Sequence, residues 1–319
     1  MNSSQRKQIL PNQSNRRAFL KTTIAASFAF PTHSSLFAST PSPRKETRPY
    51  QIGTCDWSLK TPLTTDSFHL AKSVGIEGMQ YSFGLKGEGL DLRFRENRDA
   101  IRQTVKETDV AVTSLGMAIL NKVPYSSDGE SQQIVIDCIQ TMATLKSEAH
   151  ELADRALASK VSPNIALMGF FGLGDINGRP DLIERVIEKF KRVAPLAEEH
   201  GVTLGIESLL NEADHRRILD SVGSPSLKVY YDTANSHKMG YDIYQEMESL
   251  GSANICQIHC KENRRLLGDG PIDFPRVKNI LTAIDYQDWL IIEGSKPKDM
   301  TIEDAYTRNA AYLQSVFNG

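Results

Sequence analysis

The chain has 319 residues, with 37 Lys and Arg against 39 Asp and Glu and a formal net charge of −2, which excludes a nucleic-acid binder driven by bulk positive charge. At 40% hydrophobic and 24% charged residues, with 21 Gly and 14 Pro, the composition is neither collagen-like, coiled-coil nor disordered, and it can bury a large core. No run reaches the roughly 20 apolar residues needed to span a bilayer.

Residues 1–45 read as an address. Arg16-Arg17-Ala18-Phe19-Leu20-Lys21 leads directly into an apolar stretch, 22–30, and then Pro31, an order that resembles a twin-arginine export signal. Asn15 stands where Ser or Thr is commoner, and Ala38 is the best candidate for the cleavage residue. The resemblance implies the twin-arginine export machinery as a partner and a periplasmic or secreted location. No Cys precedes Cys55, so neither a lipid anchor nor any stable membrane anchor is expected. Residues 39–49, rich in Ser, Pro and charge, read as a linker, which leaves 50–319 as one domain.

From residue 50 onward short β-like runs alternate with amphipathic stretches. Candidate strands are 50–55, 76–82, 111–117, 164–170, 202–207, 227–232, 253–259 and 289–293, and candidate helices include 97–107, 130–159, 181–200, 241–250 and 302–317. Eight β/α repeats in roughly 270 residues predict an α/β fold, a single-domain (β/α)8 TIM barrel. An open doubly wound sheet is the alternative, but no G-x-G-x-x-G follows the first strand to support a dinucleotide site.

Active sites of such barrels sit at the carboxyl ends of the strands. The fifth candidate strand ends in Glu207, the sixth in Asp232, the seventh in His259 and the eighth in Glu293. Side chains alternate faces along a strand, so Thr203 and Gly205 share the face of Glu207 while Val202, Leu204 and Ile206 point toward the helices. In the eighth strand Leu290 and Ile292 lie opposite Glu293; in the seventh, Cys256, Ile258 and Cys260 lie opposite His259. All three patterns aim a polar group into the barrel mouth. Three carboxylates and an imidazole form a hard, oxygen-rich set suited to one divalent metal ion, Mn²⁺ foremost, with Mg²⁺, Co²⁺ or Zn²⁺ open.

Other positions carry weaker signals. Trp57, just past the first strand, is placed either to stack on a bound substrate or to cover the mouth as structure. Tyr81 and Phe83 read as core or rim. The run 169–174 lacks the Lys-Ser/Thr of a phosphate-binding P-loop and reads as a mobile loop. Lys261, Arg264 and Arg265, beside Glu262, Asp269 and Asp273, read as a mixed charged rim.

Together, Gly205-Ile206-Glu207-Ser208, Tyr230-Tyr231-Asp232-Thr233-Ala234-Asn235, Ile258-His259-Cys260-Lys261-Glu262-Asn263, Gly268-Asp269-Gly270-Pro271-Ile272-Asp273 and Ile291-Ile292-Glu293 resemble the sugar phosphate isomerase/epimerase family with the xylose-isomerase-like barrel, over nearly all of 50–319. The ketose 3-epimerases of that family hold one divalent metal with a Glu, Asp, His, Glu set. The resemblance therefore implies that Glu207, Asp232, His259 and Glu293 are ligands, and that Glu207 and Glu293 double as catalytic acid and base. It also implies an Arg contacting sugar hydroxyls, here Arg264 or Arg265. Where the epimerases often have His three residues after the Asp, this chain has Asn235, with His237 two further on.

The expected activity is isomerisation or epimerisation of a small sugar or keto-sugar by proton abstraction next to a ketone, through an enediolate. Cleavage of a 3-keto-glycoside by elimination uses the same chemistry and stands as an alternative, as does a non-catalytic secreted carbohydrate-binding barrel. Two carboxylates able to shuttle protons favour the enzyme. A repair nuclease on this fold needs several metals and more His than these strand ends supply.

In an oxidising compartment the cysteines invite a disulfide, but four strand residues separate Cys256 from Cys260, roughly 13 Å between Cα atoms and beyond bridging distance. Both are expected as buried thiols behind the barrel. Carboxylate sites bind Mn²⁺ weakly relative to Cu²⁺ or Zn²⁺, so folding before export protects such a site. Replacing Arg16→Lys together with Arg17→Lys should accordingly hold the protein in the cytoplasm. Cell fractionation that finds undiminished periplasmic delivery of that pair would refute the export reading.

Overall fold

Aliphatic and aromatic runs of three to seven residues, each followed by a polar turn, form eight strands in the computed structural model, which describes residues 50–319. The expected export segment and linker lie outside the described residues. In chain order the elements are β1 (Ile52–Cys55), α1 (Asp66–Ser73), β2 (Gly78–Ser82), α2 (Arg95–Thr108), β3 (Ala111–Met117), α3 (Ser131–Glu151), α4 (Arg155–Lys160), β4 (Ile165–Gly169), α5 (Pro180–His200), β5 (Thr203–Glu207), α6 (Glu212–Val222), β6 (Leu227–Asp232), α7 (Thr233–Lys238), α8 (Ile243–Asn254), β7 (Ile255–Cys260), α9 (Phe274–Ala283), β8 (Leu290–Ile292) and α10 (Ile302–Asn318). The strands pair in parallel in sequence order, and β1 closes onto β8. The result is the expected (β/α)8 barrel. No described helix is long and apolar enough to cross a membrane.

Local chemistry explains the helix boundaries. Residues 130–159, expected as one helix, divide because Leu152 is extended and Asp154 caps a new start, accepting from the N–H groups of Ala156 and Leu157. Helix α5 begins on Pro180 and ends at Gly201 with φ +66°, where a left-handed residue stops the helix without a Cβ penalty. Within the run 169–174, Gly169 ends β4 and Gly172–Gly174 form a short 3₁₀ turn, with Asn121 Oδ1 accepting from the Phe171 N–H between them.

Alternation divides the barrel's apolar residues into two sets. Leu204, Ile206, Val229, Tyr231, Ile258, Cys260, Leu290 and Ile292 belong to the large layer between sheet and helices. A smaller interior cluster holds Cys55, Ile165, Leu167, Tyr230, Cys256 and Ile291, with Trp57 and Trp289 packed on it. Small residues make room for the large ones: a Cβ on Gly53 would come within 2.7 Å of Ile291, and one on Gly78 within 2.5 Å of Trp289. Tyr81 and Phe83 are buried in the outer layer, where the Arg93 guanidinium covers the Phe83 ring at 4.0 Å.

Cys256 corrects the strand-seven parity. Val229 pairs with Ile255 but Tyr230 pairs with Gln257, so Cys256 is the extra residue of a β-bulge. The bulge turns Cys256 into the barrel, against Gly205 and Tyr230, rather than behind it with Ile258 and Cys260. All four cysteines are buried free thiols.

A Cβ at Gly205 would stand 2.7 Å from Cys256 Sγ and 3.2 Å from Tyr230 Cβ. Overpacking of this kind costs about 1–3 kcal/mol, so Gly205→Ala should lower the urea midpoint. Adding Cys256→Ala should recover part of the loss, and strictly additive effects would disprove the contact.

Candidate metal centre

Strand ends β5 to β8 deliver Glu207, Asp232, His259 and Glu293 to one point, with one ligand-competent atom from each lying within 4.8 Å of the others. Glu207, Asp232 and His259 are buried and Glu293 is nearly so. His259 Nδ1 faces all three carboxylates, at 2.9 Å from Glu207 Oε1, 3.7 Å from Glu293 Oε2 and 3.8 Å from Asp232 Oδ2. Asp232 also caps α7, its Oδ1 accepting from the Asn235 N–H at 2.8 Å. That bond orients the carboxylate and leaves Oδ2, a buried oxygen with no hydrogen-bond donor, aimed at the cluster.

The opposite edge of the imidazole is equally defined. Gln80 Oε1 lies 2.8 Å from His259 Nε2, and the Cys55 thiol lies 3.6 Å from that nitrogen. An amide oxygen only accepts, so Nε2 carries hydrogen, and it is loss of the other proton, from Nδ1, that would turn a lone pair toward the carboxylates. The Tyr230 ring packs 4.5 Å from the imidazole as the floor of the site, its hydroxyl donating to Gln257 Oε1.

Lys261 is not part of a solvated rim. Its Nζ lies 2.5 Å from Glu293 Oε2 and 3.2 Å from Asp232 Oδ2, the latter without hydrogen-bond alignment, and 3.5 Å from Asn235 Oδ1. The spacing holds the missed signal, because a residue two beyond His259 shares its face. Trp57 donates from Nε1 to Glu293 Oε1 at 2.9 Å and stands edge-on to His259. Trp57 and Asn235 therefore join the cluster. His237, Arg264 and Arg265 are exposed, with Arg265 donating to the Asp269 carbonyl; the structure does not bring these three onto the ligand atoms. Gln80 was missed because an amide on β2 carries no charge signal.

Electrostatics follow from this crowding. Burial pushes Asp232 up to about 7, opposed by the Lys261 ammonium and reinforced by Glu293 and Glu207. Burial also opposes ionisation of Glu293, but the Lys261 and His259 charges hold it down at about 2. His259 is raised: burial works against its charged form, and Glu207 and Glu293 overcome that effect. Lys261 is raised as well, because Asp232 and Glu293 outweigh its desolvation.

An orphaned buried oxygen, three convergent carboxylates and a lone pair fixed by Gln80 suit one hard divalent ion. Binding at Nδ1 requires loss of the proton that the raised His259 still holds at pH 6. Calorimetric titration of Mn²⁺ in buffers of different ionisation enthalpy should show about one ion per chain, net proton release near pH 6 and affinity rising with pH. His259→Ala should lose the ion, and equal metal content in wild type and variant would contradict this assignment.

Comparisons with known proteins agree with this architecture. Residues 68–316 match the family described as xylose isomerase-like TIM barrel. A 2-epi-5-epi-valiolone 7-phosphate 2-epimerase from an Actinoplanes species is 25% identical over 222 residues, covering 70% of this chain and 76% of that protein. Among solved structures, D-psicose 3-epimerase superposes with a TM-score of 0.65 at 13% identity, covering 84% of this chain and all of the other. The 3-keto-D-glucoside 4-epimerase of E. coli gives 0.61 at 16% identity, covering 83% and 99%. The chain belongs to the xylose isomerase-like TIM barrel family.

Proposed function

We propose that this protein is a divalent-metal-dependent sugar isomerase or epimerase that moves a proton on carbon next to a ketone. The observation that carries this reading is the meeting of Glu207 and Glu293, delivered by β5 and β8, with Asp232 and His259 within 4.8 Å. A relative whose name describes inversion at carbon 2 of a valiolone phosphate supports epimerisation over a binding role. The proposed location, periplasmic or secreted, rests on Arg16-Arg17 and the apolar stretch after them.

A divalent ion held by Glu207, Asp232, His259 and Glu293 would supply electrostatic stabilisation of the charge that develops on the substrate's carbonyl oxygen. The remaining work belongs to the chain. One carboxylate removes the carbon-bound proton from one face of the sugar, and the other returns a proton from the opposite face. Trp57 holds Glu293 by one oxygen and Lys261 by the other, so this carboxylate is oriented and ionised. A carboxyl held near pKa 2 is a weak base, however, and proton transfer at Glu293 requires the ammonium to release it. The Trp57 ring, half-buried beside Glu293 and His259, gives a sugar an apolar face to lie on.

Glu207→Gln and Glu293→Gln should each lower epimer formation by about 10²-fold or more on the ketose or 3-keto-glycoside that wild type converts in heavy water. Metal content is measured first, since both residues are also assigned as ligands. One variant should still exchange a carbon-bound proton with solvent while forming no epimer. Retention of metal and near wild-type turnover by both would overturn the two-carboxylate mechanism.

A further inference from the structure

A lysine whose ammonium enters a candidate metal centre needs an explanation that a charged rim does not give. Lys261 Nζ touches Glu293 Oε2 and Asp232 Oδ2. Those are the same two oxygens that face His259 Nδ1 across the cluster. A small divalent ion sits about 2.0–2.2 Å from its oxygen ligands. With Nζ at 2.5 Å from Glu293 Oε2, an ion on that oxygen would stand less than about 5 Å from the ammonium. The two cations would repel strongly in a space with little water.

We infer that Lys261 is the internal counter-ion of this centre, holding Asp232 and Glu293 together in the metal-free protein and yielding those oxygens when a divalent ion binds. The inference rests on the metal reading above and adds an exchange of cations to it. The side chain has somewhere to go. Asn235 Oδ1 lies 3.5 Å from Nζ on the α7 side, and the side chain is 18% exposed, so it borders the mouth. Its backbone need not follow, because the Lys261 N–H is fixed on Thr233 Oγ1 at 3.0 Å while the four-carbon stem turns. Lys261 is thus a positioning residue whose charge lowers the affinity of the centre for metal and keeps Asp232 and Glu293 from repelling one another.

Three measurements on the full chain test this. Titration of Mn²⁺ into protein stripped with a chelator should show Lys261→Met binding at least about tenfold more tightly than wild type, with the charge-retaining Lys261→Arg close to wild type. The metal-free Lys261→Met protein should melt below wild type, and saturating Mn²⁺ should remove that difference. In wild type alone, which guards against a variant that fails to fold, acetylation of Lys261 by a limiting amine-reactive reagent should rise severalfold on Mn²⁺ loading relative to the exposed Lys191, as read by peptide mass spectrometry. Unchanged or weaker Mn²⁺ affinity in Lys261→Met, or a Lys261 acetylation yield indifferent to Mn²⁺, overturns the counter-ion role while the metal reading stands. Absence of Mn²⁺ binding in wild type and variant alike overturns both.

Discussion

Like-charge crowding is the constraint on which the barrel mouth depends. Three carboxylates with ligand atoms within 4.8 Å of one another do not stay ionised in a buried space unless cations stand beside them. His259 on β7 and Lys261 just past its end, two residues apart, supply the two positive charges that touch them. The uneven distribution of that charge explains the opposite behaviour of two chemically similar groups. Asp232 is more deeply buried, lacks an aligned donor at Oδ2 and is pushed up, whereas Glu293 accepts from both Trp57 and Lys261 and is pulled down.

Holding such a cluster in place requires a floor that does not yield. The interior below His259 is filled by Tyr230, Cys55, Leu167 and Ile291. The Gln257 side chain ties this layer to two other strands through Ser114 Oγ and the Tyr230 hydroxyl, both donating to its Oε1. Gly116 serves the mouth itself: a Cβ there would stand 2.7 Å from the Trp57 ring, so the indole reaches Glu293 only because β3 carries no side chain at that point. Sequence, interior packing and orientation of a candidate catalytic carboxylate are connected through this one missing Cβ.

Much of this arrangement was legible in the sequence because it follows from periodicity. Two-residue alternation in β5 and β8 located Glu207 and Glu293 on the inner face, the strand-end position located Asp232, and the order of eight β/α units located the closed barrel. The same rule, applied to β7, failed at Cys256, since a bulge inserts a residue without leaving a signature in residue type. Helices α1, α6, α7 and α9 are short, and the last three start on side-chain caps, Asn211, Asp232 and Asp273. Lys261 was misjudged for a different reason. A Lys among Glu and Asp residues reads as a solvated surface when composition is weighed, and as a buried counter-ion only when its face relative to His259 is weighed.

The loops after β7 and β8 show how a fixed ligand set and a movable cation coexist. Thr233 Oγ1 accepts from the Lys261 N–H, and Ser295 Oγ accepts from the Glu262 N–H. Asn309 on α10 donates to the Ser295 carbonyl and accepts from the Leu267 N–H. The Glu262 carboxylate accepts from the Ile272 N–H and fills the space that a Cβ on Gly270 would take, so a glycine stands at 270 where this loop folds back. These bonds fix the backbone on either side of Lys261 and just beyond Glu293, leaving side-chain torsion as the available freedom. Glu207 and Asp232 have shorter stems and at least one oxygen already engaged, whereas Lys261 has a long stem with Asn235 Oδ1 beside its carboxylate partners as a further acceptor. In a mouth built this way, a change of bound cation would be absorbed by one side chain, and Glu207, Asp232 and Glu293 would keep the positions that the barrel gives them.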